Sequence, residues 1–165
     1  MKQEEIKEKL LAEFGPETIL AAVEFRDQIS LTVSTEKILD VCRFLRDDPE
    51  LSFNFLSFVA AVDLYPRTPR FEVVYQLHSL KHDHRFRIKT LLEDSAEGNP
   101  SVDSVVPVWP TANWHERETA EMFGITFRNH PDPRNLLLPE GWKVHPLKKD
   151  FPLYGTEEDT PDLPA

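Results

Sequence analysis

The chain has 165 residues with a formal net charge of −10, and 40% of them are hydrophobic against 29% charged. That length suits one domain with a sizeable core plus some tail, and the acidic balance argues against general nucleic-acid binding, which selects clustered Lys and Arg. The single cysteine, Cys42, excludes an intrachain disulfide, cannot by itself hold an iron–sulfur cluster or a cysteine-rich zinc site, and suits a reducing compartment.

The charged start, Met1-Lys2-Gln3-Glu4-Glu5, lacks the apolar stretch of a secretory leader. The longest apolar stretch, Phe55 to Val62, is far short of the roughly 20 residues that span a bilayer. Membrane association is therefore expected only through a partner.

Residues 2–14 read as a helix with Ile6, Leu10, Leu11 and Phe14 on one face, stopped by Gly15-Pro16. Residues 18–25 alternate as a strand with Ile19, Ala21, Val23 and Phe25 facing inward. A turn at Arg26-Asp27-Gln28 leads to a second strand with Ile29, Leu31 and Val33 inward. Ser34 or Thr35 is placed to cap a helix over 35–47. Its apolar face is Ile38, Val41, Cys42 and Leu45, which makes Cys42 a small buried hydrophobe rather than a redox-active thiol. The segment from Leu51 to Tyr65 fits either a short helix, through Phe55, Phe58, Val59 and Val62, or a strand. Pro66 and Pro69 bracket a loop. Phe71, Val73, Tyr75 and Leu77 then alternate as a strand, and residues 84–92 form its hairpin partner with Phe86, Ile88 and Leu92 inward. The other face of that partner carries Arg85, Arg87 and Lys89, either a solvated strip paired across the sheet with Glu72 or a docking surface for an acidic neighbour.

Beyond about residue 105 the character changes. Nine of the 14 prolines fall between Pro107 and Pro164, which leaves little room for regular elements. Yet Trp109, Trp114, Phe123, Phe127, Leu136, Leu137, Leu138, Trp142, Phe151 and Leu153 lie there too, unlike a disordered segment. An apolar, proline-punctuated segment reads as an extended arm packed on its own domain or on another subunit. The organisation expected is an α+β domain over 1–124, helices on a small, largely antiparallel sheet. An extended arm comes next over 125–154, packing on a partner, and then a loose acidic tail over 155–165.

With five glycines, the sequence contains neither G-x-G-x-x-G nor a Walker A loop, and no G-x-S-x-G elbow. His115-Glu116 begins like a zinc-protease helix, but Thr119 stands where the second histidine is required. His78, His82 and His84 cluster in the hairpin region and are read as a polar turn rather than a zinc or nickel site.

The densest local pattern runs from Asn113 to Gly124. Asn113 and Glu116 form a capping-box spacing, and Gly124 suits the left-handed end of a helix of about three turns. Arg117 and Glu121, four apart, are spaced to pair. Glu116 and Glu118 diverge by about 200° around the helix, so they cannot work together as a carboxylate pair.

These residues carry a resemblance. Glu116-Arg117-Glu118, Glu121-Met122-Phe123-Gly124, His130-Pro131, Arg134 and Leu136-Leu137 resemble the signature of the 30-kilodalton subunit family of respiratory complex I. In bacteria this family supplies the C subunit of NADH–quinone oxidoreductase. Trp109-Pro110, Ala112-Asn113-Trp114, His145-Pro146-Leu147-Lys148-Lys149-Asp150, Pro152-Leu153 and Ala61-Val62-Asp63 extend the likeness over most of the chain. Departures are Glu121 where the family more often has Asp, Asn129 where it has Gly, and Asn135 where a second basic residue is common.

The resemblance implies a non-catalytic α+β subunit without cofactor or metal, with FMN, iron–sulfur clusters and quinone held by other subunits. It implies a place in the peripheral arm, on the cytoplasmic face of the inner membrane. There the chain would lie beside the 49-kilodalton (D) quinone-site subunit and the cluster-bearing subunits. Glu116, Arg117, Glu118, Glu121, Phe123, Gly124, His130, Pro131, Arg134, Lys148, Lys149 and Asp150 are the expected family-motif and partner-interface residues. A membrane-bound hydrogenase or a deazaflavin-oxidising complex contains similar subunits, and a free-standing binding module is the alternative of another class.

Overall fold

A computed structural model describes residues 3–94 and 99–155; the acidic tail expected over 155–165 lies, apart from Gly155, outside the described residues. Helix α1 (Gln3–Phe14) is followed by strands β1 (Ile19–Phe25) and β2 (Gln28–Val33), joined by a two-residue turn in which Arg26 and Asp27 both take positive φ. A short 3₁₀ turn (Thr35–Lys37) opens helix α2 (Ile38–Asp47). Strands β3 (Phe55–Asp63), β4 (Phe71–Ser79), β5 (His84–Leu92) and β6 (Ser101–Asp103), helix α3 (Ala112–Phe123) and strand β7 (Thr126–Arg128) complete the order. The fold is α+β, with a five-stranded sheet in the order β1-β2-β5-β4-β3 and a small two-stranded sheet of β6 and β7.

The segment from Leu51 to Tyr65 resolves as strand: Phe55–Asp63 pairs antiparallel with β4, with a bulge between Leu56 and Phe58. The β4–β5 hairpin sets Tyr75 opposite Ile88, Leu77 opposite Phe86 and Phe71 opposite Leu92, so both apolar rows share one face as the alternation predicts. β2 joins β5 in parallel, the one parallel pairing in the large sheet.

On the inner face, Leu31, Phe71, Val73, Tyr75, Leu77 and Ile88 are fully buried against Ile6 and Leu10 of α1 and Ile38, Val41, Cys42 and Leu45 of α2. Each such side chain contributes about 1.5–3 kcal/mol on leaving water. Burial also holds the Cys42 thiol well above its ordinary pKa, so it stays protonated as a packing group.

Two expectations are corrected by the fold. Ala21, Val23 and Phe25 do not face the core; in β1 only Ile19 is buried, and Phe25 is 68% exposed. β1 is an edge strand whose register shifts between Ile19 and Ala21, which turns the remaining alternation away from the helices. The cap expected of Ser34 or Thr35 is also not made. The Thr35 hydroxyl instead lies 2.9 Å from Thr90 Oγ1 and donates to the Leu91 carbonyl at 3.1 Å, stitching the turn to β5. Because the helix enters through a 3₁₀ turn, its first residues need no Ncap geometry at that position.

Trp109 links the large sheet to the C-terminal third of the chain: its indole N–H donates to the Phe53 carbonyl at 2.9 Å. With Val102, Val105, Val108, Ala112, Ile125 and Phe127 it extends the core toward α3, which packs along the edge strand β3.

Candidate functional site

Helix α3 is an anchor whose polar side chains point in three directions, each with a distinct task. Glu116 points inward and is fully buried. Its carboxylate accepts from the Ser104 hydroxyl at 2.6 Å and the Val105 N–H at 2.7 Å, tying α3 to the segment after β6. Burial pushes its pKa up to about 7, against the pull of those two hydrogen bonds. This placement corrects the capping-box reading: Thr111 stands at the helix start, Asn113 is already inside the helix, and Glu116 serves the core rather than the cap.

Arg117 and Glu121 do not pair with each other; each grips the arm instead. The Arg117 guanidinium donates to the Arg134 carbonyl at 2.7 Å and the Asn135 carbonyl at 2.9 Å, and it lies 3.4 Å from the Asp132 carboxylate. Glu121 is nearly buried and accepts three consecutive backbone N–H groups, from Leu136 (3.0 Å), Leu137 (2.9 Å) and Leu138 (3.1 Å). One carboxylate thus satisfies a turn with no regular ladder of its own, and charge-assisted bonds of this kind are roughly twice as strong as neutral ones. Glu118 is exposed and, among the described residues, has no hydrogen-bond or ion-pair partner.

His130 is held between the Asn113 carbonyl, 3.1 Å from Nε2, and the Asp132 N–H, which donates to Nδ1 at 3.0 Å. That pattern defines the neutral tautomer with the proton on Nε2. The turn before it needs a left-handed residue, and Asn129 supplies it with φ +61°. Asp132 in turn is drawn down to a pKa of about 2 by its hydrogen bonds from Arg134, an exposed residue on the outer side of the arm. Pro131 is exposed beside it, and Phe123 is half-buried against the core.

The end of α3 receives the next stretch of arm. Gly124 takes φ +72°, and a Cβ there would sit 2.6 Å from the His145 ring, so both conformation and space require glycine. His145 Nδ1 donates to the Glu121 carbonyl at 2.8 Å, and the Leu147 N–H donates to the Met122 carbonyl at 3.1 Å.

A second clamp lies at the β3–β4 connection. Arg70, nearly buried, donates to Asp63 at 2.8 and 3.0 Å, to Asp150 at 2.6 and 3.0 Å and to Asp94 at 2.7 Å. Its guanidinium also lies over the Tyr65 and Phe71 rings, and Lys148 Nζ is 5.6 Å from the Phe71 ring. Asp63 accepts the Lys149 N–H at 2.8 Å as well, and the Arg70 bonds hold its carboxyl well below the usual carboxylate range. Nothing within the motif singles out Arg70. Its only signal in the sequence is a lone arginine between Pro69 and a core phenylalanine, eighty positions from the Asp150 it binds. Ser104 and Asp132 are equally silent in the sequence.

Of the three histidines of the hairpin only His82 lies in the turn; His78 is in β4 and His84 opens β5. His82 and His84 rings stack at 5.7 Å, and His78 Nε2 is 3.2 Å from Asp83. Among the described residues no group of three or more His, Cys, Asp or Glu is placed to hold a metal ion. No helix of the described residues is long and apolar enough to cross a membrane.

Fold and site define an α+β domain that fastens its own proline-rich arm with two polar clamps, one at α3 and one at Arg70. Residues 31–157 match the family described as respiratory-chain NADH dehydrogenase, 30 Kd subunit, and the chain belongs to that family. It is 52% identical over 143 residues to the NADH-quinone oxidoreductase C subunit of Roseiflexus sp. (strain RS-1), covering 87% of this chain and 80% of that protein. It is 42% identical over 155 residues to the corresponding C subunit of Geobacter sulfurreducens, covering 93% and 90%. A chain in the structure of the membrane-bound sulfane sulfur reductase (MBS), an archaeal respiratory membrane complex, shares the fold with a TM-score of 0.69 at 23% identity, over 93% of this chain and 87% of that one.

Proposed function

We propose that this chain is a non-catalytic, cofactor-free subunit of a proton-translocating NADH–quinone oxidoreductase. In this reading it sits on the cytoplasmic face of the membrane and supports assembly and the large quinone-site subunit. The observation that carries the reading is how the arm is held. Its backbone is clamped from within by Arg117, Glu121 and Asp63, and its Asp150 side chain by Arg70, while several apolar side chains are turned out: Leu137, Leu147, Leu153 and Tyr154 are exposed, the last at 98%. An arm ordered before binding has less entropy to lose when a partner covers it. Relatives named as C subunits of NADH-quinone oxidoreductase, at 42–52% identity, favour that complex over a hydrogenase-type or deazaflavin-oxidising one.

The test is Arg117→Ala. It removes two hydrogen bonds to the arm and no buried apolar side chain, so the isolated domain should lose only about 1–3 kcal/mol. Assembly, read by native gel and by affinity capture from a mild detergent extract with mass spectrometry, should fall severely. Normal assembly of this variant, or stoichiometric flavin, nucleotide or metal retained by the purified wild-type chain, overturns the reading. The proteins captured with the wild type separate the oxidoreductase from the hydrogenase-type alternative.

A further inference from the structure

The outer face of the large sheet carries a feature that the arm does not use. Arg85 and Arg87 stand two residues apart on β5, on the side away from the helices. Across them β4 presents Gln76 and β2 presents Gln28, lining a groove of 470 Å³ that ends at Phe55. Arg87 donates its Nε–H to Gln76 at 2.9 Å, and the next cation in the row, Lys89, is neutralised by Glu72 at 2.9 Å. Among the described residues no carboxylate pairs with Arg85 or Arg87. The chain as a whole is acidic, with a net charge of −10, which sets this pair of guanidiniums apart from its surroundings.

Phe55, 43% exposed, also borders a second, larger and mostly apolar groove of 820 Å³ against Pro110 and Trp114, whose indole is 66% exposed. The two grooves therefore share one aromatic wall, with an apolar seat on one side and a paired cationic seat on the other. Tryptophan and arginine are the residue types enriched in binding hot spots, and here they line neighbouring grooves that meet at Phe55.

We infer that this surface docks an extended acidic segment of a partner protein, one carrying an apolar anchor followed by carboxylates at alternate positions. Side chains two apart on a strand are about 7 Å apart, so Arg85 and Arg87 match the spacing of carboxylates at i and i+2 of an extended chain. The planar guanidinium is the group suited to fork-like recognition of a carboxylate. An anionic lipid surface is the poorer fit. Electrostatic attachment to lipid builds on clusters of roughly four to eight Lys or Arg, whereas this groove is lined by two arginines, on an acidic chain.

The experiment places the photo-reactive residue p-benzoylphenylalanine at Phe55 in the full-length tagged chain, expressed in its own cells. The complex is irradiated before extraction and the adduct is mapped by mass spectrometry. The expected adduct lies on a partner segment with two acidic residues in alternate positions. The double substitution R85E/R87E should lower its yield at least about tenfold. Both residues are outside the core, so circular dichroism and melting should be unchanged. An adduct to lipid, an adduct to a segment without paired acids, the absence of a partner adduct, or a yield indifferent to R85E/R87E overturns the inference. Co-purification of partners is read separately through the arm, so the subunit assignment can stand when this inference falls.

Discussion

Glu116 is the residue whose surroundings most sharply set its behaviour. Between its ordinary value of 4.5 and about 7 the folded chain keeps a proton that the unfolded chain has released. Stability therefore falls as pH rises through that window, and above it the full cost of burying the charge is present, about 3 kcal/mol. Glu116→Gln preserves an acceptor for the Val105 N–H and a partner for Ser104, and it removes the ionisation. The stability difference between pH 5 and pH 8, measured by urea unfolding, should shrink by about that amount; an unchanged slope would assign the effect elsewhere. Arg70 shows the opposite sign. It keeps Asp63 ionised, and that stabilisation is present above pH 3.8 and lost only under stronger acid. Arg70→Met leaves Asp63 and Asp150 facing each other without a cation, and should cost about 3–5 kcal/mol. The same change should expose the Lys148 and Lys149 peptide bonds to trypsin before the domain unfolds, which a timed digest would reveal.

At the scale of elements, regular periodicity was readable where an element has one buried face. The spacing of Ile38, Val41, Cys42 and Leu45 marks the inner side of α2, and the alternation from Phe71 to Leu77 marks the inner row of β4; every one of these residues is buried. β1 has the same alternating pattern and the opposite outcome, because an edge strand with a bulge can turn its apolar row outward. The contrast predicts Phe25→Thr to change stability by less than about 0.5 kcal/mol, and Leu31→Ala, one strand inward, to cost about 2–5 kcal/mol. Equal losses in chemical denaturation would mean that β1 is covered after all. The Leu51–Tyr65 segment was ambiguous for a related reason: its apolar residues fit a helical stripe, and only pairing with β4 makes it a strand.

Taken whole, the molecule leaves Phe25, Trp114, Leu153 and Tyr154 in solvent while burying charges such as Glu116 and Asp63. In the proposed reading a partner covers this exposed apolar surface. Purified alone it should self-associate as its concentration rises in sedimentation velocity runs. Substituting Leu153→Ser with Tyr154→Ser should suppress this without shifting the melting temperature, since neither side chain packs on the core. Self-association unaffected by the pair would move the adhesive surface away from the arm.

By itself the sequence determined the α+β class, the buried faces of the helices and of the central hairpin, the end of α3 at Gly124, and family membership through the motif around Glu116 and Arg134. These follow from local spacing, which covalent geometry converts directly into faces and ends. Only the tertiary structure decided that Arg117 and Glu121 hold the arm rather than each other. It alone also decided that Arg70 joins Asp63 to Asp150 and that β1 faces outward. Such choices depend on which distant groups the folded chain brings within hydrogen-bonding distance, and side-chain periodicity carries no record of partners eighty residues away.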